Sequence, residues 1–155
     1  MISRASRVAR VVVDTNVLLR AAVSPAGPAA RLYASAKRGD FRLVLSPHLL
    51  REVRAGFFKP HFRSRYPVVP REIAIFLAEL LVVGELVAGA FEVDLVPKDP
   101  KDNPIVASAL EGDAGYVVTN DGDILTLEVV RVAGYRPIRI LSDLKFLDLL
   151  RHGTA

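Results

Sequence analysis

The 155-residue sequence contains no cysteine. This absence excludes a scaffold held by disulfides, a zinc site built on thiolates and a cysteine nucleophile. It is compatible with a reducing compartment, where disulfides are rare. We therefore expect a cytoplasmic protein whose fold depends on its apolar core.

The sequence also lacks a long apolar run. The segment VVVDTNVLLRAAV (11–23) is interrupted by Asp14 after three residues, whereas a secretory signal needs about 7–15 apolar residues. The most apolar stretch, residues 73–91, carries Glu79 and Glu85. A membrane span needs about 20 mainly apolar residues with few charges. We therefore predict neither a signal peptide nor a membrane-bound protein.

Three motifs of phosphate chemistry are absent: the GxGxxG fingerprint, the P-loop and the DxDx(T/V) nucleophile motif. Their absence argues against a nucleotide-binding domain or a phosphatase. The composition, 51% hydrophobic and 25% charged, is that of a globular protein, and the length favours one domain over residues 1–155. The net charge of +4, with 16 arginines among 21 basic residues, favours polyanionic partners such as nucleic acid.

Short apolar runs alternate with helical patterns, which is typical of parallel strands joined by crossover helices. We predict strands at residues 11–14, 42–45, 91–96, 116–119 and 138–141. We predict helices at residues 17–22, 28–38, 47–57, 70–83, 104–111, 123–130 and 142–151, with a proline-rich loop over 57–70. The predicted fold is α/β, a three-layer α/β/α sandwich with a central parallel sheet of about five strands. Ligands of such sheets bind beyond the carboxyl ends of the strands.

Acidic residues lie where these strands end. Asp14 ends the first strand, Asp121 follows the fourth, and Asp102 directly precedes a helix that Asn103 is predicted to cap. Glu52 borders the apolar face of the helix after the second strand. Each acid alone is typical of a turn, a cap or a solvated surface. Four carboxylates gathered together would repel each other unless a cation lay between them, and oxygen ligands suit Mg²⁺ or Mn²⁺.

The four stretches that carry these acids resemble, in order and spacing, a PIN domain of the VapC-like type, the toxin component of toxin–antitoxin systems. They are VVVDTNVLL (11–19), LVLSPHLLREV (43–53), KDPKDNPIVASAL (98–110) and YVVTNDGDIL (116–125). Each motif alone is weak, but the order and spacing of all four match along nearly the whole chain.

The resemblance implies a metal-dependent endoribonuclease that hydrolyses RNA phosphodiester bonds with metal-activated water. It assigns Asp14, Glu52, Asp102 and Asp121 as the catalytic acids and as ligands of one or two Mg²⁺ or Mn²⁺ ions. Asp123 is an additional candidate ligand, and Asp99 is the residue most easily confused with Asp102. The positions that would support the site are Asn16, Ser46 and Thr119.

The predicted loop over residues 57–66 interleaves aromatic rings with cations. Rings can stack on single-stranded bases, and cations can follow phosphates. Lys59, Arg63 and Arg65 are therefore candidate RNA contacts. In the alternative interpretation the rings complete the core and the arginines are merely solvated.

Two other functions remain open: a PIN-like module that binds RNA or protein without cleaving it, and a housekeeping RNA-processing nuclease. A toxin would have a small antitoxin protein as its partner. The apolar helix 71–83 could support a homodimer or antitoxin docking, although helices with this pattern usually belong to the core.

Overall fold

The computed structural model describes residues 8–92 and 103–153. Its six-stranded sheet has the order β3-β2-β1-β4-β6-β5. The strands are β1 (Arg10–Val13), β2 (Arg42–Leu45), β3 (Glu85–Leu86), β4 (Tyr116–Val118), β5 (Val129–Val130) and β6 (Ile138–Leu141). The neighbouring strands are parallel except at one edge, where β5 runs antiparallel to β6.

Eight helices accompany this sheet in the described residues. They are α1 (Thr15–Val23), α2 (Pro28–Arg38), α3 (Pro47–Phe58), α4 (Pro60–Arg65), α5 (Pro70–Val83), α6 (Asn103–Glu111), α7 (Gly122–Leu125) and α8 (Asp143–Arg151). Four of them begin with proline. This residue suits the first helical position because a backbone N–H there would have no helical partner. None of the described helices is long and apolar enough to cross a membrane.

The central strand β1 is buried on both faces. Val11 and Val13 belong to one apolar cluster, which includes side chains of α1, α2, α3, α5 and α8. Val12 belongs to the other cluster, with side chains of α6 and α7. Alternate side chains of a strand point to opposite faces. The sheet is therefore the middle layer of the predicted α/β/α sandwich, and the fold class is confirmed.

The sheet also determines where a site can form. The chain proceeds from β1 to β2 on one side, and it places β4 against the other side of β1. This reversal creates a switch point beyond the carboxyl ends of β1 and β4, where open α/β sheets bind their ligands. Val13 is paired with Val118, so Asp14 and Thr119 follow on adjacent strands at the same level.

Three sequence predictions need correction. The strand predicted at 91–96 is not present at Phe91 and Glu92, while residues 93–96 lie outside the described part of the chain. The edge strand is instead β3. Its Glu85 carboxylate accepts two hydrogen bonds of 2.9 Å from the Arg10 guanidinium. Gly84 permits this approach, since a Cβ there would lie 2.6 Å from Leu45 Cδ1.

The other two corrections concern short elements. The loop predicted over 57–70 contains α4, whose Phe62 ring packs edge-to-face on Phe57 at 5.8 Å. The helix predicted over 123–130 ends at Leu125. Glu128 has a positive φ of 56°, which turns the chain so that β5 pairs with β6. Tertiary contacts, rather than local periodicity, create these elements.

The apolar helix α5 has the predicted bounds but is not entirely a core helix. Ile73 and Leu80 are buried, whereas Ile75, Leu81 and Val82 are exposed on the outside. One face of α5 therefore joins the core, and its outer apolar face is left uncovered in the described residues. A homodimer remains a prediction.

The packing predicts which residue of α8 matters for stability. Phe146 is fully buried and contacts the rings of Phe41 and Tyr116 edge-to-face, at 5.3 and 5.2 Å. We expect Phe146→Ala to lower the free energy of unfolding by about 3–5 kcal/mol, because it removes apolar contacts and leaves a cavity. The matched control Leu144→Ala, at a position 57% exposed, should change it by less than about 0.5 kcal/mol. Denaturant unfolding followed by circular dichroism measures both, and equal losses would contradict the packing.

Candidate active site

Asp14 is a buried acid at the end of β1. It is the N-cap of α1, with extended backbone, and its Oδ1 accepts a hydrogen bond of 2.7 Å from the Thr15 N–H. Only 7% of the residue is exposed. Carboxylates are favoured at a helix N-terminus, because the backbone N–H groups there lack helical partners. Local structure thus explains why the acid is tolerated, but not why it is buried.

Thr119 connects Asp14 to the next strand. Its hydroxyl, which is fully buried, donates a hydrogen bond of 2.7 Å to Asp14 Oδ2. The Thr119 hydroxyl oxygen itself accepts a hydrogen bond of 3.0 Å from the Asp121 N–H. One side chain therefore holds together the ends of β1 and β4. The supporting role that the resemblance implies for Thr119 stays a prediction.

Asp121 is the second acid at this point. It is the N-cap of α7, and its Oδ1 accepts hydrogen bonds from the N–H groups of Asp123 at 2.8 Å and Ile124 at 3.4 Å. Its side chain is half-buried and lines a large cavity. Asp123 is exposed on the first turn of α7. The short helix therefore orients Asp121 while leaving one side of the carboxylate accessible.

The two acids influence each other electrostatically. Burial raises the pKa of Asp14, and the negative charge of Asp121 raises it further. The hydrogen bonds from Thr119 and Thr15 oppose this shift in the pKa, since they favour the charged form. Neither acid forms an ion pair with a basic side chain within residues 8–92 and 103–153. A cation bound beside them would therefore relieve an unfavourable charge.

A third acid, Asp143, was missed by the sequence analysis. It follows β6 at the first position of α8 and is only 6% exposed. Its carboxylate accepts hydrogen bonds from Asn120 Nδ2 at 3.1 Å and from the Leu144 N–H at 2.7 Å. The rule that located Asp14 and Asp121, an acid within three residues of the end of a parallel strand, would also have located Asp143.

A cavity of about 830 Å³ opens beside these side chains. Asn16, Asp121 and Asp143 line one part of it, together with Asn120. Asn16 is exposed on the first turn of α1. The cavity lies at the switch point of the sheet, where a ligand is expected for this topology.

Ser46, another of the predicted supporting positions, lies at the start of α3. It is the buried N-cap of α3, and its Oγ accepts a hydrogen bond of 3.2 Å from the Leu49 N–H. It borders a separate groove of about 200 Å³ between α3 and α6, with His48 and Arg51. The residue thus supports the start of α3 rather than touching either acid.

Of the other two predicted acids, only Glu52 lies in the described part of the chain. Glu52 is exposed on α3, beside the fully buried Val53. Asp102, like Asp99, lies outside the described residues. Within the described part of the chain, no three acidic or histidine side chains form a group that could hold a metal ion. The metal site remains a prediction, which the paired carboxylate oxygens of Asp14 and Asp121 fit chemically.

The predicted RNA contacts lie at α4. Lys59 separates α3 from α4, while Arg63 and Arg65 lie in the last turn of α4, and all three are exposed. The rings do join the core in part, because Phe57 is buried and Phe62 packs on it. The Arg65 guanidinium lies 5.6 Å from the centre of the Tyr66 ring. Of the three cations only Arg65 lines the large cavity, and an RNA contact by any of them stays a prediction.

Comparison with known families identifies the fold. A family model described as PIN domain matches residues 10–123. The matched region runs from β1 into α7 and so contains Asp14, Thr119 and Asp121. No curated protein sequence matched the chain.

The buried charge of Asp14 predicts how stability depends on pH. The folded state binds the proton more tightly than the unfolded chain, since the pKa of Asp14 is raised in the folded protein. This contribution to stability therefore falls as pH rises from the ordinary pKa of aspartate through the raised value. We expect Asp14→Asn to be more stable than the parent at pH 7 in a chelator, and to lose that advantage near pH 4. Denaturant unfolding at both pH values tests this.

The substitution Asp148→Asn, which removes an exposed acid, is the control for that measurement. Asp148 lies on the surface of α8, with 65% of its side chain accessible. Its substitution should change stability by less than about 0.5 kcal/mol. A destabilised Asp14→Asn at pH 7, or an advantage that does not change with pH, would contradict the assignment of a buried charge.

Proposed function

The chain belongs to the PIN domain family, generally a nuclease fold, and from this premise we propose that it is a metal-dependent endoribonuclease. The observation that carries the proposal is the pair of acids at the switch point of the sheet, where the Thr119 hydroxyl donates to the Asp14 carboxylate and accepts from the Asp121 backbone N–H. An inactive binding module would not need a buried acid beside a second acid, because that arrangement destabilises the folded chain.

The proposed cofactor is Mg²⁺ or Mn²⁺, as one or two ions. Carboxylate oxygens are hard donors that these cations prefer. Asp14 and Asp121 would hold the metal, with Asp102, Glu52 and Asp123 as further proposed ligands. When bound, the metal would activate water for attack on phosphorus and balance the charge of the transition state.

The chain's own residues would prepare the site. Asp14 is held from two directions, by the Thr15 N–H and the Thr119 hydroxyl, so its carboxylate does not have to reorient on binding. The start of α7 orients Asp121 in the same way. Preorganised groups of this kind avoid the free energy of rearrangement during the reaction.

The charge distribution supports a nucleic-acid substrate. Of the 17 acidic residues, four are the proposed catalytic acids Asp14, Glu52, Asp102 and Asp121, which leaves 13 against 21 basic residues in the remainder of the chain. A basic surface attracts the phosphate backbone of RNA, and the attraction weakens with salt. The acidic site, loaded with metal, would then meet the scissile phosphate.

Cleavage of end-labelled single-stranded RNA tests the proposal. We expect cleavage with Mg²⁺ or Mn²⁺ and none in EDTA. Asp14→Asn and Asp121→Asn should each lower the rate at least about 100-fold, because both remove a proposed metal ligand. The control Asp148→Asn, prepared identically, should cleave at the parent rate. Cleavage that persists in both site variants would show that these residues are not the active site.

Metal binding supplies a readout that does not depend on activity. A ligand at about 100 times its dissociation constant stabilises the folded state by about 2.7 kcal/mol. We expect Mn²⁺ to raise the unfolding temperature of the parent and of Asp148→Asn, but not of Asp14→Asn. Failure of Mn²⁺ to stabilise any of the three would favour a binding module that lacks a metal site.

We further propose that the nuclease is the toxin of a type II toxin–antitoxin pair, active in the cytoplasm and neutralised by a small antitoxin protein. The support is the resemblance of four sequence stretches to VapC-like toxins, in order and spacing. The alternative that retains the chemistry is a housekeeping RNA-processing nuclease.

Induced expression in a bacterial host distinguishes these two roles. A toxin should arrest growth, whereas Asp14→Asn at equal protein level should not. Co-expression of a small reading frame adjacent to the gene should restore growth. Normal growth with a parent protein that cleaves RNA in vitro would instead favour the housekeeping role.

A further inference from the structure

A row of polar side chains follows the outer face of α1. Asn16, Arg20 and Ser24 are spaced by four residues, so they lie one above the other along the helix and just beyond its end. All three line the 830 Å³ cavity that also contains Asp121. Arg20 is therefore about 6 Å further along the helix axis than Asn16, in the direction away from the acids.

Helix α4 forms the facing wall of the same cavity. His61, Phe62 and Arg65 share one side of this helix, and they line the cavity together with Tyr66. Arg65 lies in the last turn of α4 and is exposed. Its guanidinium carbon lies over the Tyr66 ring, 5.6 Å from the ring centre. The cavity thus has an acidic end at Asp121 and Asp143, and a part bordered by two arginines.

The two arginines are not used for internal ion pairs. Arg10 and Arg136, for comparison, bind Glu85 and Asp113 at 2.9 and 3.0 Å. Within the described residues, neither Arg20 nor Arg65 has a carboxylate partner. Unpaired guanidinium groups bordering a cavity are suited to phosphate, which they can bind through two parallel hydrogen bonds.

We propose that Arg20 and Arg65 together bind backbone phosphates of a single-stranded RNA next to the bond that is cleaved at the acidic end. This inference rests on the proposed nuclease function and names the substrate class and the contacts for the same site. Neither residue contacts the acids. Their role is to hold the strand, so they should affect binding of RNA rather than the chemical step.

The cavity favours a single strand over a duplex. Its volume is within the range of about 300–1,000 Å³ that accommodates a small ligand, which is enough for a short stretch of nucleotides. The Tyr66 ring also lines the cavity, half-buried between the Arg65 guanidinium and the Phe62 ring.

The structure separates Arg65 from the neighbouring cations that the sequence had grouped with it. Lys59 and Arg63 are exposed, but they do not line the cavity. Arg63 lies on the same short helix as Arg65 and carries the same charge. Arg63→Gln is therefore a matched control for Arg65→Gln, since both remove one positive charge from α4.

The test is binding of a fluorescently labelled, single-stranded RNA oligonucleotide in EDTA, where cleavage is not expected. We expect Arg20→Gln and Arg65→Gln each to raise the dissociation constant roughly fivefold to tenfold at low salt. Each should also lower the slope of log affinity against log salt by about 0.7, the contribution of one phosphate contact in a single strand. Arg63→Gln should change affinity less than about twofold.

With Mg²⁺ present, Arg20→Gln and Arg65→Gln should raise KM while kcat stays near that of the parent. Equal losses of affinity for Arg63→Gln and Arg65→Gln would overturn the proposal, as would unchanged binding in the Arg20 variant. A duplex bound as tightly as the single strand would also overturn it. RNA binding that depends on both arginines, but without metal-dependent cleavage, would instead contradict only the nuclease function.

Discussion

The hydrogen bond from the Thr119 hydroxyl to Asp14 is the contact on which the proposed site depends. It joins residues 105 positions apart in the chain, at the ends of the neighbouring strands β1 and β4, and it is buried. The Thr119 hydroxyl oxygen also accepts a hydrogen bond from the Asp121 N–H. Thr119 therefore helps to position the start of α7 and its capping acid. The pairing of Val13 with Val118 makes this geometry possible, since it brings the two strand ends to the same level.

This arrangement opposes stability, because it buries one acid beside another. Burial and the charge of Asp121 both raise the pKa of Asp14, so the ionised form destabilises the folded chain at neutral pH. Strain of this kind is common where a protein prepares a site for a ligand, at the expense of its own stability. The large cores on both faces of the sheet supply the stability that this site lacks. The cavity beside it is acidic near Asp121 and bordered by Arg20 and Arg65 elsewhere.

Elements whose own sequence contains a strong pattern were predicted well. Helices α2 and α5 and strands β2 and β6 have the predicted bounds, because apolar runs or helical periodicity are delimited by proline, glycine or a capping residue. The elements that were missed resemble loops, because they are short, flanked by turns, weakly periodic and partly exposed. Strands β3 and β5 have two residues each. They exist because β2 and β6 offer them backbone partners, and local propensity does not report such partners.

The sequence alone determined the fold class, the central strands, and the identity of Asp14 and Asp121 as acids at strand ends. These properties follow from local periodicity and from the rule that parallel strands end at one edge of a sheet. The tertiary structure decided which side chains are neighbours. It joined Asp14 to Asp121 through Thr119, added Asp143 to the same cavity, and separated Arg65 from Arg63 although only Ser64 lies between them. Helix direction and strand order decide such contacts, and both depend on the packing of the whole chain.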